Sequence, residues 1–326
     1  MKALVLKDYE TAQLELTEKE TPTPKPGEVL VKMHSAPINP SDLMFLRGLY
    51  GIKKKLPTIP GFEGSGTISA LGDGVSGWKV GDRVSVTAPR SYGCWAEYMP
   101  APVETLIRLH DDITLEEGSM IFVNPLTAYA LLDMVVKRNS KAFVQTAAAS
   151  ALGKMLIRLG NLEKIPSINI VRKDSQIEEL KAIGAEHVLN SESPKFEREF
   201  AKLCKELEAR VCLDAVSGKL ASQILTLLPP ESSLICYGAL SEEMITVNAG
   251  IMLFANKKVE GYWLSSWIYT SGPEELKRVS DKVQKNLKTL LKSDVRVRFS
   301  LSNGLEAIES YKQNMSGGKT LITMEN

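Results

Sequence analysis

The feature that most constrains this 326-residue chain is a regular alternation of strand-like and helix-like segments between residues 141 and 237. Lys141–Gln145 is a compact β-type run, and Ala151–Gly160 follows with apolar side chains at i, i+3, i+4 and i+7 from Leu152, the stripe of an amphipathic helix. Helices are also predicted at Gln176–Ile183, which ends at Gly184, and from Ser193-Pro194 with Pro194 at the first helical position. Further strands are predicted at Ser167–Val171, His187–Leu189, Arg210–Ala215 and Leu234–Tyr237. Such alternation predicts an α/β fold with a parallel, doubly wound sheet.

The first ~118 residues have a different sequence pattern, in which short β-type runs are separated by proline- and glycine-rich turns. Strands are predicted at Ala3–Leu6, Glu28–Met33, Gly64–Ala70 and Arg83–Val86. Short strands at regular spacing favour a small barrel-like β domain.

The residues after about 266 comprise a long amphipathic helix from Pro273, an alternating strand from Val295 and a last strand at Thr320–Met324. This tail is too small to be a domain alone, so we expect it to return to the first domain. The predicted division is one domain from residues 1–118 and 266–326, and a nucleotide-binding domain from residues 119–265.

Composition and charge exclude several classes of protein. The chain has 40 Lys+Arg against 39 Asp+Glu, a net charge of +1, which argues against a broad electrostatic surface for nucleic acid or an anionic membrane. No apolar run approaches the ~18–20 residues that a transmembrane helix needs. The start, Met1-Lys-Ala-Leu-Val-Leu6, is typical of a strand rather than of a signal or transit peptide, which predicts a cytoplasmic protein or the mature form of a processed one.

Cysteine and histidine are scarce. Cys94, Cys204, Cys212 and Cys236 include no C-x-x-C pair, and the three histidines include no H-E-x-x-H pattern. Neither a disulfide framework nor a zinc site is predicted from such a set.

The first strand-to-helix turn of the alternating region is the candidate nucleotide site. It contains Gln145-Thr-Ala-Ala-Ala-Ser150-Ala-Leu-Gly153, in which Ala148, Ser150 and Gly153 occupy the slots of a degenerate G-x-G-x-x-G. Small residues let the backbone approach a pyrophosphate, which the helix N-terminus can receive. The alternative is simple packing of small residues at the start of a helix.

The end of the second strand distinguishes the two nicotinamide cofactors. Asn169-Ile-Val171 leads into Arg172 and Lys173, where an NAD-specific fold would place a carboxylate for the ribose. Guanidinium geometry suits a phosphate, so we predict NADPH. A solvated basic turn is the alternative.

Several motifs now show a family resemblance that extends over residues ~1–325. The chain resembles the medium-chain dehydrogenases/reductases, and within them the 2-enoyl thioester reductases and the zinc-free quinone reductases. The matching stretches are Asn39-Pro-Ser-Asp42, Gly48-Leu-Tyr50-Gly51, Pro60-Gly-Phe-Glu-Gly64, Val80-Gly-Asp-Arg-Val84, Val123-Asn-Pro-Leu-Thr-Ala-Tyr129, Asn169-Ile-Val-Arg172, Gly184-Ala-Glu-His-Val188, Tyr237-Gly-Ala-Leu240 and Gly261-Tyr-Trp-Leu-Ser-Ser-Trp267.

The resemblance implies a GroES-like β-barrel catalytic domain and a Rossmann domain. It also implies that the enzyme works without zinc. Where the alcohol dehydrogenases of the superfamily bind the metal through Cys and His, this chain has Asn39, Phe62 and Val123, and these side chains cannot supply thiolate and imidazole ligands.

Without a metal, the chemistry must suit an acceptor that is already electrophilic. Hydride addition to the β-carbon of a conjugated carbonyl creates an enolate, which needs hydrogen-bond donors and a proton. Tyr50 matches the tyrosine of the family motif, and its phenol is predicted to bond the thioester oxygen or help deliver the proton. A surface-loop tyrosine is the alternative.

The resemblance also implies residues that hold the cofactor. Asn124 matches a residue near the nicotinamide, although an Asn before Pro at a helix start would look the same. Lys319 matches a C-terminal lysine at the cofactor, although an exposed lysine near a chain end is also compatible. The remaining matches are Ala149, Ser150, Ala151 and Leu152 at the pyrophosphate, Tyr237, Gly238, Ala239 and Leu240 at the nicotinamide half, and Tyr262, Trp263, Leu264 and Ser265 along the nicotinamide pocket, where an apolar hinge is the alternative.

The predicted activity is therefore zinc-independent, NADPH-dependent reduction of a conjugated carbonyl, with a trans-2-enoyl thioester as substrate. The alternatives are an NADPH:quinone oxidoreductase and a non-catalytic NADPH-binding relative. The alanines of the pyrophosphate loop depart from the Asn-Ser-Gly of the thioester reductases, and the quinone reductases share most of the N-terminal motifs. The quinone reductases rank second, because they typically carry a fuller glycine loop and a shorter, less tryptophan-rich segment around Gly261–Trp267. The family implies a homodimer formed through the edge strands of the nucleotide domains, and the stretch after Lys257-Lys258-Val259 is a candidate for that edge.

Overall fold

The computed structural model describes residues 1–88 and 92–324; residues 89–91 and 325–326, which fall in the predicted first domain, lie outside the described part. The chain divides into two compact units, Met1–Leu126 with Pro273–Asn326, and Thr127–Gly272. The sequence places these limits at residues 118/119 and 265/266, and the role assigned to each domain stays a prediction.

The N-terminal segment is built mainly of strands. In chain order its elements are β1 (Lys2–Asp8), β2 (Gln13–Glu18), β3 (Glu28–Pro37), α1 (Pro40–Leu46), β4 (Glu63–Leu71), β5 (Arg83–Thr87), β6 (Tyr98–Pro102), β7 (Leu106–Arg108) and α2 (Leu115–Gly118), with a 3-10 turn at Val103–Thr105.

The middle segment alternates helices and strands. Its elements are α3 (Val123–Lys137), β8 (Ala142–Gln145), α4 (Ala151–Leu162), β9 (Ser167–Val171), α5 (Ser175–Lys181), β10 (His187–Asn190), α6 (Phe196–Glu206), β11 (Ala209–Asp214), α7 (Gly218–Leu227), β12 (Ser233–Cys236), α8 (Ala249–Ala255), β13 (Lys258–Gly261) and α9 (Leu264–Asn286).

The tail adds β14 (Val295–Ser300), a 3-10 turn at Leu301–Asn303, α10 (Gly304–Gln313) and β15 (Lys319–Thr323). Strand β15 lies between β14 and β3 in a seven-stranded sheet whose order is β14-β15-β3-β4-β5-β7, with β6 also paired to β3. The tail therefore completes the sheet of the N-terminal segment.

The second unit contains a six-stranded sheet in the order β10-β9-β8-β11-β12-β13, and each strand pair is parallel. From β8 the sheet continues through β9 to β10 on one side, and β11, β12 and β13 follow on the other side. The point where the strand order reverses, between β8 and β11, is where open α/β sheets bind ligands, beyond the carboxyl ends of the strands.

Burial explains why these segments form these elements. All residues of β8 and β9 are buried, as expected for parallel strands covered on both faces. The core of the first unit gathers Leu4, Val31, Trp95 and Ile322 from distant parts of the chain. The predicted parallel sheet and β-rich unit are thus confirmed.

Three local details differ from the sequence-based expectation. The helix predicted from Ser193-Pro194 begins at Phe196, because Pro194 belongs to the preceding turn. The helix predicted from Pro273 is preceded by a second helical stretch, and Gly272 (φ 79°) separates the two within α9. Strands β2, β6, β7 and β13 were not predicted; two prolines in Tyr98–Pro102 argue against a strand there.

Candidate active site

A buried group of polar and ionisable side chains lies within the first unit. Lys319, at the start of β15, is only 4% exposed, and its ammonium donates a hydrogen bond to Asn39 Oδ1. Asn39 Nδ2 in turn donates to Glu63 Oε1 at 2.9 Å. Burial lowers the pKa of Lys319 and raises that of Glu63, while the attraction between the two charges opposes both shifts.

Asp42 is the second buried carboxyl of this group. Its two oxygens accept hydrogen bonds from the backbone N–H groups of Asn39, at 2.8 Å, and Phe62, at 3.0 Å. Burial, followed by repulsion from Glu63, raises the pKa of Asp42 to about 7 in spite of these bonds. Two buried carboxyls share one ammonium here, so a proton on Asp42 makes the group electrically neutral.

The same group fixes the start of α3. Glu63 Oε2 accepts a hydrogen bond from the backbone N–H of Val123 at 2.9 Å. Asn124, the predicted nicotinamide residue, is the next residue along the chain. The backbone at Asn124 is therefore tied through Glu63 and Asn39 to Lys319.

Tyr50, the predicted catalytic residue, lies half-buried in the loop that follows α1. Its ring is 4.6 Å from that of Phe62, and Phe62 lies 5.5 Å from Phe45 in an edge-on arrangement. Phe62 also donates its backbone N–H to Asp42. Tyr50 is thus packed on a residue that the buried group holds in place.

In the second unit, the predicted pyrophosphate loop connects β8 to α4. Ser150 is the N-cap of α4, and its hydroxyl accepts a hydrogen bond from the N–H of Gly153 at 3.1 Å. Ala149 and Leu152 are buried and Ala151 is half-buried. A helix of 12 residues with a capped N-terminus offers backbone N–H groups and a favourable dipole to an anion.

Gly153 occupies a position that no larger residue fits. A Cβ placed there would lie 2.4 Å from the backbone oxygen of Ala148. The close approach of the helix start to the preceding loop therefore requires glycine at this slot, and the third glycine of a dinucleotide-binding turn has the same role. The other two slots, Ala148 and Ser150, tolerate a side chain.

A cavity of about 340 Å³ opens at the carboxyl ends of the parallel strands. Arg172, the first residue after β9, is one of its lining residues, whereas Lys173 is exposed beside it. The other lining residues are Ser191, Glu192, Val216, Ser217, Lys219, Leu220, Gln223, Ser241 and Glu243. They belong to the segments that follow β10, β11 and β12, on both sides of the point where the strand order reverses.

Sequence patterns had not indicated the lining residues other than Arg172. Ser217 has a left-handed backbone (φ 68°) and donates its hydroxyl to Glu243 O at 3.0 Å, a contact between residues 26 positions apart. The only local indication was the Ser217-Gly218 pair directly after a strand, which is typical of a turn.

Two of the residues predicted at the nicotinamide, Tyr237 and Tyr262, have buried hydroxyl groups. Tyr237 follows β12 and Tyr262 follows β13. Among the residues that the structure describes, neither phenol oxygen has a hydrogen-bond partner, and burial raises both pKa values. Buried hydroxyls are normally paired, so these two atoms are suited to a bound polar group.

The remaining predicted residues extend from the same strand ends. Leu240 donates its N–H to Ala215 O at 3.0 Å, which orders the turn that holds Gly238 and Ala239. Trp263 is 41% exposed, and Leu264 and Ser265 open α9. The structure therefore places the second-unit candidates at the carboxyl ends of the parallel strands. In the first unit Lys319 belongs to the buried group, whereas Tyr50 and Asn124 are half-buried and lie beside Phe62 and Val123, which are hydrogen-bonded to it.

Comparison with known proteins assigns this chain to the oxidoreductases. Residues 25–111 match the model of the alcohol dehydrogenase GroES-like domain, and residues 151–285 match that of the zinc-binding dehydrogenases. A mitochondrial enoyl-[acyl-carrier-protein] reductase from Rattus norvegicus is 34% identical over 272 residues, which cover 82% of this chain and 71% of the relative. The chain belongs to the medium-chain dehydrogenase/reductase family.

Solved structures agree with this assignment. A proposed NADPH:quinone reductase from Mesorhizobium loti superposes with a TM-score of 0.91 at 36% identity, covering 99% of this chain and 98% of that one. The complex of Etr1p with NADP and crotonyl-CoA superposes with a TM-score of 0.81 at 25% identity, covering 99% of both chains. These relatives support a nicotinamide cofactor.

The name of the second family model raises the question of zinc. At the three places where the resemblance locates zinc ligands, Asn39 is hydrogen-bonded at both ends of its amide, Phe62 packs on Tyr50, and Val123 has no donor side chain. In residues 1–88 and 92–324, no group of three or more His, Cys, Asp or Glu could hold a metal ion. The four cysteines are free thiols. The side chains at this place do not fit a zinc ion.

Proposed function

We propose that the protein is a zinc-independent, NADPH-dependent reductase that delivers hydride to the β-carbon of a trans-2-enoyl thioester. The observation that carries this proposal is the first-unit site, where a tyrosine packs on Phe62 at the place that would serve a metal ligand. A phenol donates a hydrogen bond but cannot replace a Lewis acid for alcohol oxidation. Such a site suits an acceptor whose conjugated carbonyl is already electrophilic.

Tyr50 supports the enolate in this chemistry. Its O–H donates to the thioester oxygen, on which negative charge develops as the enolate forms, and it can supply or relay the proton that the α-carbon takes up. The neighbouring ring of Phe62 limits access of water to that face of the phenol. Asn124, held through the Glu63–Val123 hydrogen bond, is positioned to bind the carboxamide of the cofactor.

NADPH supplies the hydride when it is bound. The N-terminus of α4, with Ala149, Ser150, Ala151 and Leu152, is suited to its pyrophosphate. Arg172 at the cavity, with Lys173 beside it, is suited to the 2′-phosphate, since a guanidinium binds phosphate through paired hydrogen bonds. The unpartnered hydroxyls of Tyr237 and Tyr262 support a polar ligand at the neighbouring strand ends.

The relatives support the thioester substrate. The R. norvegicus protein is named for reduction of enoyl groups on acyl-carrier protein, and the Etr1p complex contains crotonyl-CoA, which is a 2-enoyl thioester. A quinone substrate is the second candidate, because the M. loti chain has the higher identity. A third candidate is a protein that binds NADPH without catalysis.

The test is NADPH oxidation by the purified protein with trans-2-hexenoyl-CoA and benzoquinone side by side. We expect kcat/KM to favour the thioester by ~100-fold, about 2.7 kcal/mol of transition-state discrimination. A preference for benzoquinone would assign the protein to the quinone reductases. Tight NADPH binding with no turnover of either acceptor would identify a non-catalytic relative.

We also infer a homodimer formed through the edge of the parallel sheet. Strand β13 is the last strand of that sheet, and Val259 within it is 36% exposed. Leu253 and Phe254 on the preceding α8 are 75% and 92% exposed, which leaves apolar surface beside an open strand edge. Sedimentation equilibrium of the wild type and Val259→Lys tests this: the variant should shift toward monomer.

A cytoplasmic location and the absence of nucleic-acid partners stay predictions. Within the described residues no helix is long and apolar enough to cross a membrane. The R. norvegicus relative is named as mitochondrial, so fractionation of the source cells is the measurement that decides.

A further inference from the structure

Tyr50 lies in a segment, residues 47–57, that contains no helix or strand. We call this segment the Tyr50 loop. A loop without ladder hydrogen bonds depends on side-chain contacts for its conformation, and catalysis requires that a donor be held within a fraction of an ångström. The contacts that fix this loop therefore matter for the proposed chemistry.

The phenol of Tyr9 makes two hydrogen bonds to the backbone of the loop. Its hydroxyl donates to Lys54 O at 2.9 Å and accepts from Lys54 N–H at 2.8 Å. Tyr9 follows β1, which is anchored in the core of the first unit. The hydroxyl thus takes the place of a strand partner for the chain just after Tyr50.

Tyr9 also contacts the chain just before Tyr50. Gly48 has a left-handed backbone (φ +66°), and a Cβ placed on it would lie 3.2 Å from the Cβ of Tyr9. One side chain therefore meets the Tyr50 loop on both sides of the predicted catalytic residue.

The rings extend this contact to Tyr50 itself. Tyr9 packs edge-on against Phe45 at 5.7 Å, Phe45 against Phe62 at 5.5 Å, and Phe62 against Tyr50 at 4.6 Å. Each of these contacts adds a modest preference for one orientation. Together they form a continuous row of four rings from Tyr9 to Tyr50.

Lys54 reinforces the attachment through its side chain. Its ammonium donates to Tyr92 O at 2.7 Å and lies 5.7 Å from the centre of the Phe45 ring. Burial lowers the pKa of Lys54 to about 8, since its half-buried side chain loses part of its hydration. The backbone that Tyr9 holds is thus fixed from a second direction.

We propose that Tyr9 is a positioning residue, which holds the Tyr50 loop through Lys54 and Gly48 so that the Tyr50 phenol is presented to the substrate. This inference rests on the proposed function, since it acts through Tyr50. Tyr9 itself need not touch the substrate or cofactor.

The first experiment reports on the loop without any substrate. Trypsin cleaves after lysine, and the Tyr50 loop contains Lys53, Lys54 and Lys55. In Tyr9→Phe, which keeps the ring and removes the hydroxyl, the initial rate of cleavage within this loop should rise about 10-fold, because opening of the loop becomes more frequent. Tyr98→Phe, a half-buried tyrosine on β6, is the matched control and should cleave like the wild type. Equal rates in all three proteins would overturn the proposal.

The second experiment is a double-variant cycle on turnover of trans-2-hexenoyl-CoA. Tyr9→Phe should lower kcat about 10-fold with the Kd of NADPH unchanged, and it should change kcat less than about twofold in the Tyr50→Phe background. An equal loss in both backgrounds would show that Tyr9 does not act through Tyr50. No effect of Tyr50→Phe alone would instead refute the proposed role of Tyr50, and the proteolysis result would still stand.

Should Tyr9→Phe fail to fold, Gly48→Ala disturbs the same contact from the loop side. It places a methyl group 3.2 Å from Tyr9 Cβ at a backbone conformation that alanine disfavours. It should show the same faster cleavage and the same dependence on Tyr50. A Gly48→Ala protein with wild-type cleavage and wild-type kcat would contradict the proposal.

Discussion

The ammonium of Lys319 lies against the amide oxygen of Asn39, a contact between residues 280 positions apart in the chain. Through Asn39 it reaches Glu63 and the start of α3, so one buried cation organises the interior of the first unit. A lysine at this place serves the fold whether or not it also contacts the cofactor. Its predicted contact with NADPH stays a prediction.

Removal of the Lys319 ammonium should lower the free energy of unfolding. Lys319→Met removes the ammonium that attracts the buried carboxyls of Glu63 and Asp42 and leaves Asn39 Oδ1 without its donor. Loss of the counter-charge of a buried acid lowers the free energy of unfolding by about 3–5 kcal/mol. Denaturant unfolding at pH 7 measures the loss. Lys312→Met, an exposed lysine on α10, should change stability by less than about 0.5 kcal/mol. A loss in Lys319→Met as small as in this control would mean that the ammonium is not needed to balance the carboxylates.

Asp42 predicts a specific pH dependence of stability. Its pKa is raised from 3.8 to about 7, so between these values the folded protein holds a proton that the unfolded chain releases. The contribution of Asp42 is therefore fully present below about pH 4 and is lost as the pH rises through 7, at no more than about 1.4 kcal/mol per pH unit.

Unfolding titrations between pH 5 and 7.5 check this sign. The stability of Asp42→Asn should fall less steeply with rising pH than that of the wild type, because the variant has no proton to lose at this position. Asp73→Asn, an exposed acid in a turn, should keep the wild-type slope. Parallel curves for Asp42→Asn and the wild type would contradict the raised pKa.

Arg172 should select between the two nicotinamide cofactors. Loss of a charged hydrogen bond to the 2′-phosphate in Arg172→Ala should weaken NADPH binding about 10- to 100-fold and leave NADH binding nearly unchanged. Fluorescence titration gives both dissociation constants. Arg198→Ala, an exposed arginine on α6, is the control and should bind both cofactors like the wild type. Equal losses for NADPH and NADH would remove the phosphate assignment.

Tyr50→Phe should separate the chemistry from cofactor binding. Without the phenol O–H, kcat for trans-2-hexenoyl-CoA should fall about 100-fold, while the Kd of NADPH stays within twofold of the wild type. Steady-state kinetics and equilibrium titration of the same preparation are the measurements. Unchanged turnover would exclude Tyr50 from the reaction.

The parallel sheet could be predicted because its information is local. Lys141–Gln145 and Ser167–Val171 are short β-type runs bounded by turns, and the position of Arg172 at a strand end follows directly from the order of the chain. The strands of the β-rich unit were harder to predict, since Tyr98–Pro102 forms a strand although it contains two prolines. Propensity argues against a strand there, and pairing with β3 overrides it.

The candidate site likewise has parts that the sequence could predict and parts that it could not. The family resemblance implied Tyr50 and Asn124, and the strand-to-helix turn indicated the pyrophosphate loop; all three stay predictions. Sequence patterns could not show that Asp42 and Glu63 share one buried ammonium, or that Tyr9 meets the chain on both sides of Tyr50. These contacts join segments that are remote in sequence, and only the folded unit brings them together.

The position of β15 between β14 and β3 has a consequence for biosynthesis. Strand β3 can pair with β15 only after the ribosome has synthesised Lys319–Thr323. Every strand of the parallel sheet has been synthesised by then. During translation the second unit can therefore fold before the first unit is complete, while Glu63 and Asp42 still lack the ammonium of Lys319. A nascent chain arrested before residue 319 should accordingly expose the unfinished β sheet to chaperones.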